Sequence, residues 1–252
     1  MAECNSTVVS FVSGKGGVGK TVIASNIGKG LSLLGRKTVL IDLDFGLRNL
    51  DIALGVANNI VFDLSDVFSG NKTIKEVLVD CNGLFLVPAS QVKTPDEIDF
   101  DKFSSVITEL KKDFDYILID CPSALGKAFE EAVSVSDRVC VISNPDKASV
   151  RDADKIFSLV GDKGCLIINK IRLDLIRKNK ALNVDDILDI IRVPLLGIIP
   201  FDDDIYLSAE KGEVVVNRRN SLSGECLCNI TKRIFGEIVP LKNFKKVKRY
   251  KF

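Results

Sequence analysis

The stretch "SGKGGVGKTV", residues 13–22, decides the fold of this 252-residue chain. It follows an apolar, β-branched run, TVVSFVS (7–13). Gly14, Gly16 and Gly19 satisfy G-x-G-x-x-G, and Asp42 closes the next strand-like run. Alone, that pattern suits a dinucleotide-binding turn. The same residues satisfy G-x-x-x-x-G-K-[ST], from Gly14 to Gly19 and then Lys20 and Thr21. A phosphate loop wraps a triphosphate with backbone N–H groups, sets a lysine on the β/γ oxygens and uses the hydroxyl on Mg²⁺. The dinucleotide turn has no use for Lys20-Thr21.

A phosphate loop also predicts a second signature, an apolar strand ending in a carboxylate that helps to hold the metal. YILID, ending at Asp120, supplies it. A glycine-rich turn without a ligand is the plainer alternative, but glycines cost chain entropy, and these open a helix after a buried strand. Lys15 stands inside the loop, where its side chain cannot easily fold back onto the phosphates that the loop wraps. It either projects towards a phosphate held by a second copy of the chain or is a solvated lysine, and spacing leaves both open.

Working outward, short apolar runs alternate with helical periodicity. Strands are predicted at 7–13, 37–42, 84–88, 115–120, 138–143, 165–169 and 195–200. Helices are predicted at 20–34, 99–112, 126–135, 149–160, 184–191, 204–211 and 221–236. Strands that are apolar throughout are covered on both faces. The alternation predicts an α/β fold, a doubly wound, mostly parallel sheet with helices on both faces. Ligands on such sheets bind beyond the carboxyl ends of the strands. Ser149 and Asp152 in SVRD read as a capping box. Residues 1–236 form one predicted domain; Pro240 breaks the last helix, and 237–252 form a tail.

The chain contains no histidine, which excludes a histidine base or triad. Its seven cysteines are scattered, several in apolar strands, and read as reduced, buried thiols. Cys226 and Cys228 make a lone C-x-C without a second pair at zinc spacing. The apolar runs are too short to span a bilayer, and residues 1–10 lack the pattern of a secretory signal, so a cytoplasmic protein is expected. Residues 242–252 carry six basic side chains and no acid; against a net charge of +1, the 241 residues before them carry −5. An acidic body with a basic tail predicts an anionic partner for the tail.

KGGVGKT resembles the deviant Walker A (MinD/ParA) family of P-loop ATPases. The stretches IDLDFGLRNLDIALG (41–55), LFLVPASQ (84–91), DYILIDCPSALG (115–126), SNPDKASVRDADKI (143–156) and LLGIIPFDDDI (195–205) are similar to its septum site-determining, MinD-type members. The resemblance implies that Gly14, Lys15, Gly16, Gly17, Val18, Gly19, Lys20 and Thr21 bind ATP. It implies that Thr21 ligates Mg²⁺, and that Asp42 and Asp120 support the ion. Lys15 becomes a signature lysine acting across an ATP-bound homodimer, and Asp44 the residue that positions water, so that Lys15, Lys20 and Asp44 form the catalytic set. Asn169 takes the place where the family reads adenine, with Pro200 and Asp202 flanking the base. Two departures are Val22, where many members have a second threonine, and CPSALG in the second switch. With no carboxylate placed as a strong base after Asp120, slow intrinsic hydrolysis is expected. The resemblance further implies a division inhibitor of MinC type and a stimulating partner of MinE type. ParA-like or flagellar positioning, and an Mrp-type iron–sulfur scaffold using Cys226 and Cys228, are the alternatives.

In the tail, residues 241–252, Phe244, Val247 and Tyr250 share one helical side and Lys242, Lys245, Lys246 and Arg249 the other. Such a helix suits an anionic membrane surface, placing the protein peripherally on the inner face of the cell membrane. One tail is marginal; two on a dimer gain by avidity. A solvated tail is the plainer reading. Nucleic acid is not expected, because the body is acidic and has no recognisable DNA-binding module.

Overall fold

The computed structural model describes residues 6–178, 180–216, 218 and 220–242. The first strand, β1 (Thr7–Val12), is a run of β-branched and aromatic residues that places Val8 and Val12 in one hydrophobic core and Val9 and Phe11 in the other. Alternation of this kind is what a strand covered on both faces requires. The chain then forms α1 (Lys20–Leu33), β2 (Thr38–Asp42), α2 (Leu50–Ala53), α3 (Leu64–Phe68), β3 (Val79–Asp80), β4 (Leu84–Val87), α4 (Phe103–Leu110) and β5 (Tyr116–Asp120). It continues through α5 (Lys127–Val135), β6 (Arg138–Ser143), α6 (Lys147–Val160), β7 (Gly164–Ile171), α7 (Leu173–Ile176), α8 (Val184–Ile190), β8 (Leu195–Pro200), α9 (Asp203–Glu210) and α10 (Leu222–Phe235).

The eight strands lie in the order β3-β4-β2-β5-β1-β6-β7-β8, and every pairing is parallel except that of the edge strand β3 with β4. The predicted doubly wound sheet is therefore present, with one short antiparallel edge added. One face is covered through Ile23, Ile27 and Leu31 of α1 and Leu227 and Ile230 of α10. The other is covered through Phe103 of α4, Phe129 of α5 and Ile156 of α6. The central strands β1, β2 and β5 point their carboxyl ends the same way. The register sets Asp42 opposite Asp120, and Phe11 opposite Asp120 on the other side.

Two local expectations change. The helix predicted over 99–112 is α4 alone, preceded by a tight 3₁₀ turn at Phe100–Lys102 that the Asp99 carboxylate caps. The predicted capping box at Ser149 is not formed. Extended backbone at Asp146, after Pro145, starts α6 earlier, and the Asp146 carboxylate accepts from the Ser149 amide at 3.0 Å and its hydroxyl at 2.7 Å. Asp152 packs instead against Gly14, where a Cβ would stand 2.7 Å from the Asp152 Cβ.

α10 ends on Gly236, in the left-handed region at φ 104°, as helix ends commonly do. The following residues turn back along the helix. Arg233 donates to the carbonyls of Val239 and Pro240, both at 2.8 Å, and to that of Leu196, while Lys242 pairs with Glu225. The remaining tail, 243–252, lies outside the described residues. Among the described residues, no helix is long and apolar enough to cross a membrane.

Candidate nucleotide site

β1 delivers the chain to the centre of the sheet, and residues 13–19 turn it into α1. Two glycines make the turn possible: Gly17 and Gly19 have φ of 74° and 94°, a region side chains other than glycine rarely enter. Gly19 is constrained again by space, since a Cβ there would lie 2.5 Å from Asn169 Nδ2. As the N-cap of α1 it offers no side chain, and the first turn carries no acid. The helix therefore presents its free N–H groups and positive dipole end to the loop, which suits an anion. Val18 is buried and anchors the loop in the apolar core beneath.

Lys20, at the first position of α1, is 5% exposed and reaches Asp120 Oδ1 at 2.5 Å. Burial works against the charged amine, but the charge and hydrogen bond of Asp120 outweigh it, and the pKa of Lys20 is raised. Asp42, beside Asp120 on the adjacent strand, is fully buried and accepts from the amides of Asp44 at 2.8 Å and Leu50 at 3.2 Å. Burial, reinforced by the Asp120 charge, pushes its carboxyl up to about 7. Asp44 is half-buried and also raised, chiefly by burial, with Lys20 opposing. Asp120 Oδ2 is buried without a hydrogen-bond partner. Such an oxygen is costly unless something fills its lone pairs, and a hard cation or its water would do so.

A cleft of about 420 Å³ runs over the loop, lined by Gly16 to Val22, Asp44, Asn49 and Ser123 among others. Thus Gly16, Gly17, Val18, Gly19, Thr21 and Asp44 meet in one cleft, with Lys20 in its wall and Asp42 and Asp120 at the strand ends beneath. Lys15 is half exposed, and its amine lies 3.8 Å from Asp146 Oδ1 at the start of α6. Asn169, near the end of β7, is buried and donates to the Val18 carbonyl at 2.7 Å. Pro200 and Asp202 line a neighbouring cleft of about 720 Å³ with Arg172, Phe201 and Ser221. The Asp202 carboxylate caps α9 through the Asp204 amide, the Arg172 guanidinium stacks on the Phe201 ring, and Arg172 also pairs with Asp174.

Sequence reading gave no role to Asn49 and Ser123, which sit inside the quoted stretches 41–55 and 115–126, or to Lys170, whose amine donates to the Gly17 carbonyl at 2.7 Å. It also missed the pair of Arg48 with fully buried Asp51, Nε to Oδ2 at 2.8 Å. Arg48, at φ 42°, lies in the loop that carries Asp44. The C-x-C on α10 is no chelate: Cys226 is buried and Cys228 half-buried, and helix residues two apart do not face each other. Among the described residues, no group of three metal-binding side chains is assembled.

A parallel doubly wound sheet whose central strand feeds a glycine loop and helix, with a buried lysine and two strand-end carboxylates below, defines a P-loop nucleoside triphosphatase of the deviant Walker A kind. Comparison with known proteins carries this further. The AAA domain family model matches residues 6–163. The septum site-determining protein MinD of Synechocystis sp. is 40% identical over 245 residues, covering 94% of this chain and 92% of its own. The MinC:MinD cell division protein complex of Aquifex aeolicus superposes with a TM-score of 0.88 at 36% identity, over 94% of this chain and 99% of that one. The MinD of Pyrococcus horikoshii complexed with Mg-ADP gives 0.82 at 26%, over 91% and 96%. The chain belongs to the MinD family of septum site-determining ATPases.

Proposed function

We propose that this chain is an ATP-hydrolysing switch that dimerises on ATP, docks on the membrane by its tail and positions the division septum by recruiting an inhibitor of MinC type. The observation that carries the reading is the Lys20–Asp120–Asp42 constellation beneath the glycine loop, in which Asp120 Oδ2 is buried without a hydrogen-bond partner. The residues fit ATP and Mg²⁺. The N–H groups of residues 16–19 and the Lys20 amine would hold the β and γ phosphates. Thr21 would ligate the ion, and Asp42 and Asp120 would support it through water. Mg-ATP supplies the anhydride to be cleaved; the chain supplies position and charge. Lys20, with its raised pKa, stays cationic. Asp44, at the cleft wall, orients water. Asn169 would read the base from beside the loop, with Pro200 and Asp202 flanking it.

Lys15 is half exposed, its amine resting at the surface 3.8 Å from Asp146 Oδ1, which suits a cation that acts on the nucleotide of a second copy, as an arginine finger does. Hydrolysis is slow until a partner of MinE type intervenes, since the sequence just after Asp120 offers no carboxylate placed as a strong base. The relative whose structure is a MinC:MinD complex supports the inhibitor as partner. The acidic body argues against DNA and, with the C-x-C split across α10, against the scaffold alternative.

The test is light scattering and liposome co-sedimentation with a slowly hydrolysed ATP analogue, on wild type, Lys15→Ala and Lys20→Ala. Wild type is expected to dimerise and sediment. Lys20→Ala loses a charged hydrogen bond, about 1.5–3 kcal/mol, and with it roughly 10- to 150-fold in nucleotide affinity. Lys15→Ala binds nucleotide yet stays monomeric. Dimers of Lys15→Ala as tight as wild type would remove the cross-subunit role, and a wild type that remains monomeric at saturation would remove the switch.

A further inference from the structure

β7 ends in an irregularity that brings two consecutive side chains to bear on the glycine loop. In a regular strand, neighbours point to opposite faces, so Asn169 and Lys170 could not both reach one loop. Here the register with β8 shifts between Ile168 and Ile171, and Lys170 adopts φ 56°. An irregularity of this kind re-aims side chains, and a lysine in the left-handed region persists only where its surroundings over-determine it. What it gains is visible: Asn169 Nδ2 donates to Val18 O and Lys170 Nζ to Gly17 O, each at 2.7 Å. These are successive carbonyls of the loop.

A trans peptide sets its N–H opposite its C=O. Holding the carbonyls of Gly17 and Val18 towards β7 therefore turns the amides of Val18 and Gly19 the other way, where they can donate to an anion on the α1 side. Gly17 and Gly19, both at positive φ, give the loop no stiffness of their own, so its shape must be imposed from outside. Asn169 does so from a buried position and Lys170 from the half-buried rim.

We propose that Lys170 is a positioning residue for the phosphate loop: its amine clamps the Gly17–Val18 peptide plane so that the loop's N–H donors are preset for phosphate. The proposal rests on the nucleotide reading above and deepens it. Lys170 acts on phosphate through the backbone.

The test uses Lys170→Met, which keeps the stem without the amine, and Lys170→Gly, which accepts the positive φ and guards against a folding defect. Two quantities are measured on the full chain: ATP affinity by calorimetry with Mg²⁺, and backbone ¹⁵N order parameters of Val18 and Gly19 without nucleotide. In wild type those order parameters are expected near the rigid value of about 0.85; in both variants they drop towards about 0.6. Apparent affinity falls with the fraction of loops in the competent shape, and a roughly 3- to 10-fold loss is expected. Unchanged order parameters overturn the proposal whatever the affinity does, because a loss without loosening means that the amine touches phosphate directly. Loosening without a loss of affinity overturns it too. A wild type that fails to bind ATP refutes the nucleotide reading instead, while the order parameters still report whether Lys170 stiffens the loop.

Discussion

At Asp42 a carboxylate is fully buried beside a second one, and the two amides it accepts do not cancel the effect: its carboxyl rises to about 7. Between the unfolded value near 4 and about 7, the folded state binds the extra proton, so stability declines as pH rises through that window and levels off above it. Asp42→Asn removes this dependence. From pH 5 to pH 8, chemical denaturation should show the variant gaining about 2–3 kcal/mol relative to wild type, whatever constant offset its altered hydrogen bonds impose. A gap that stays flat with pH would show that Asp42 ionises normally. The same proton competes with a cation, so Mg²⁺-dependent nucleotide affinity should rise over that range in wild type. Asp42, Asp120, Lys20 and Thr21 were legible in the sequence because motif spacing ties them to a strand end or a helix start. Lys170 was not, because its role depends on a left-handed backbone and a break in register that no local pattern encodes. Asp146 was hidden differently: Ser149 fits a cap by pattern, and only the extended backbone at Asp146 moves the helix start forward.

Among the elements, the long helices and buried strands were readable because each carries a full apolar period or a continuous apolar run. The four-residue helices α2 and α7 and the two-residue strand β3 are shorter than any such period and are made by their surroundings. The same surroundings set the closeness of α10 to β8. A Cβ at Gly197 would stand 2.2 Å from Ile230 Cγ1, so the helix rests on the strand with no room for a methyl group. Gly197→Ala should therefore cost about 1–3 kcal/mol by overpacking, lowering the melting midpoint by roughly 3–10 °C for a domain of this size. Ile230→Ala, which empties a fully buried site, should cost about 2–5 kcal/mol alone. In the double variant the new methyl group occupies space left by the old side chain, so the measured loss should fall short of the sum of the two. Strict additivity in calorimetry would mean that the helix moves off the strand instead of pressing on it.

Over the whole molecule, charge is divided between a body of net −5 and eleven terminal residues with six cations. The first part of the tail is held: Arg233 fixes residues 239 and 240, and Lys242 pairs with Glu225. Residues 243–252 retain five basic side chains. At about 1 kcal/mol each against an anionic surface, one such tail gives roughly 5 kcal/mol, a dissociation constant in the upper micromolar range. A second tail on the same particle raises affinity on the order of 10²-fold or more, provided both face the surface together. Truncation after Lys242 should therefore leave ATP affinity and dimer formation as in wild type and abolish sedimentation with vesicles containing anionic phospholipid. Full-length protein should sediment with the ATP analogue, weakly with ADP, and progressively less as salt rises past 0.1 M, where the screening length shrinks to about 10 Å and below. Mixed dimers carrying a single intact tail should bind no better than the ADP form, because one anchor remains. If they bind as tightly as full dimers, the membrane is recognised by the body or by one tail alone, and nucleotide cannot control docking by counting anchors.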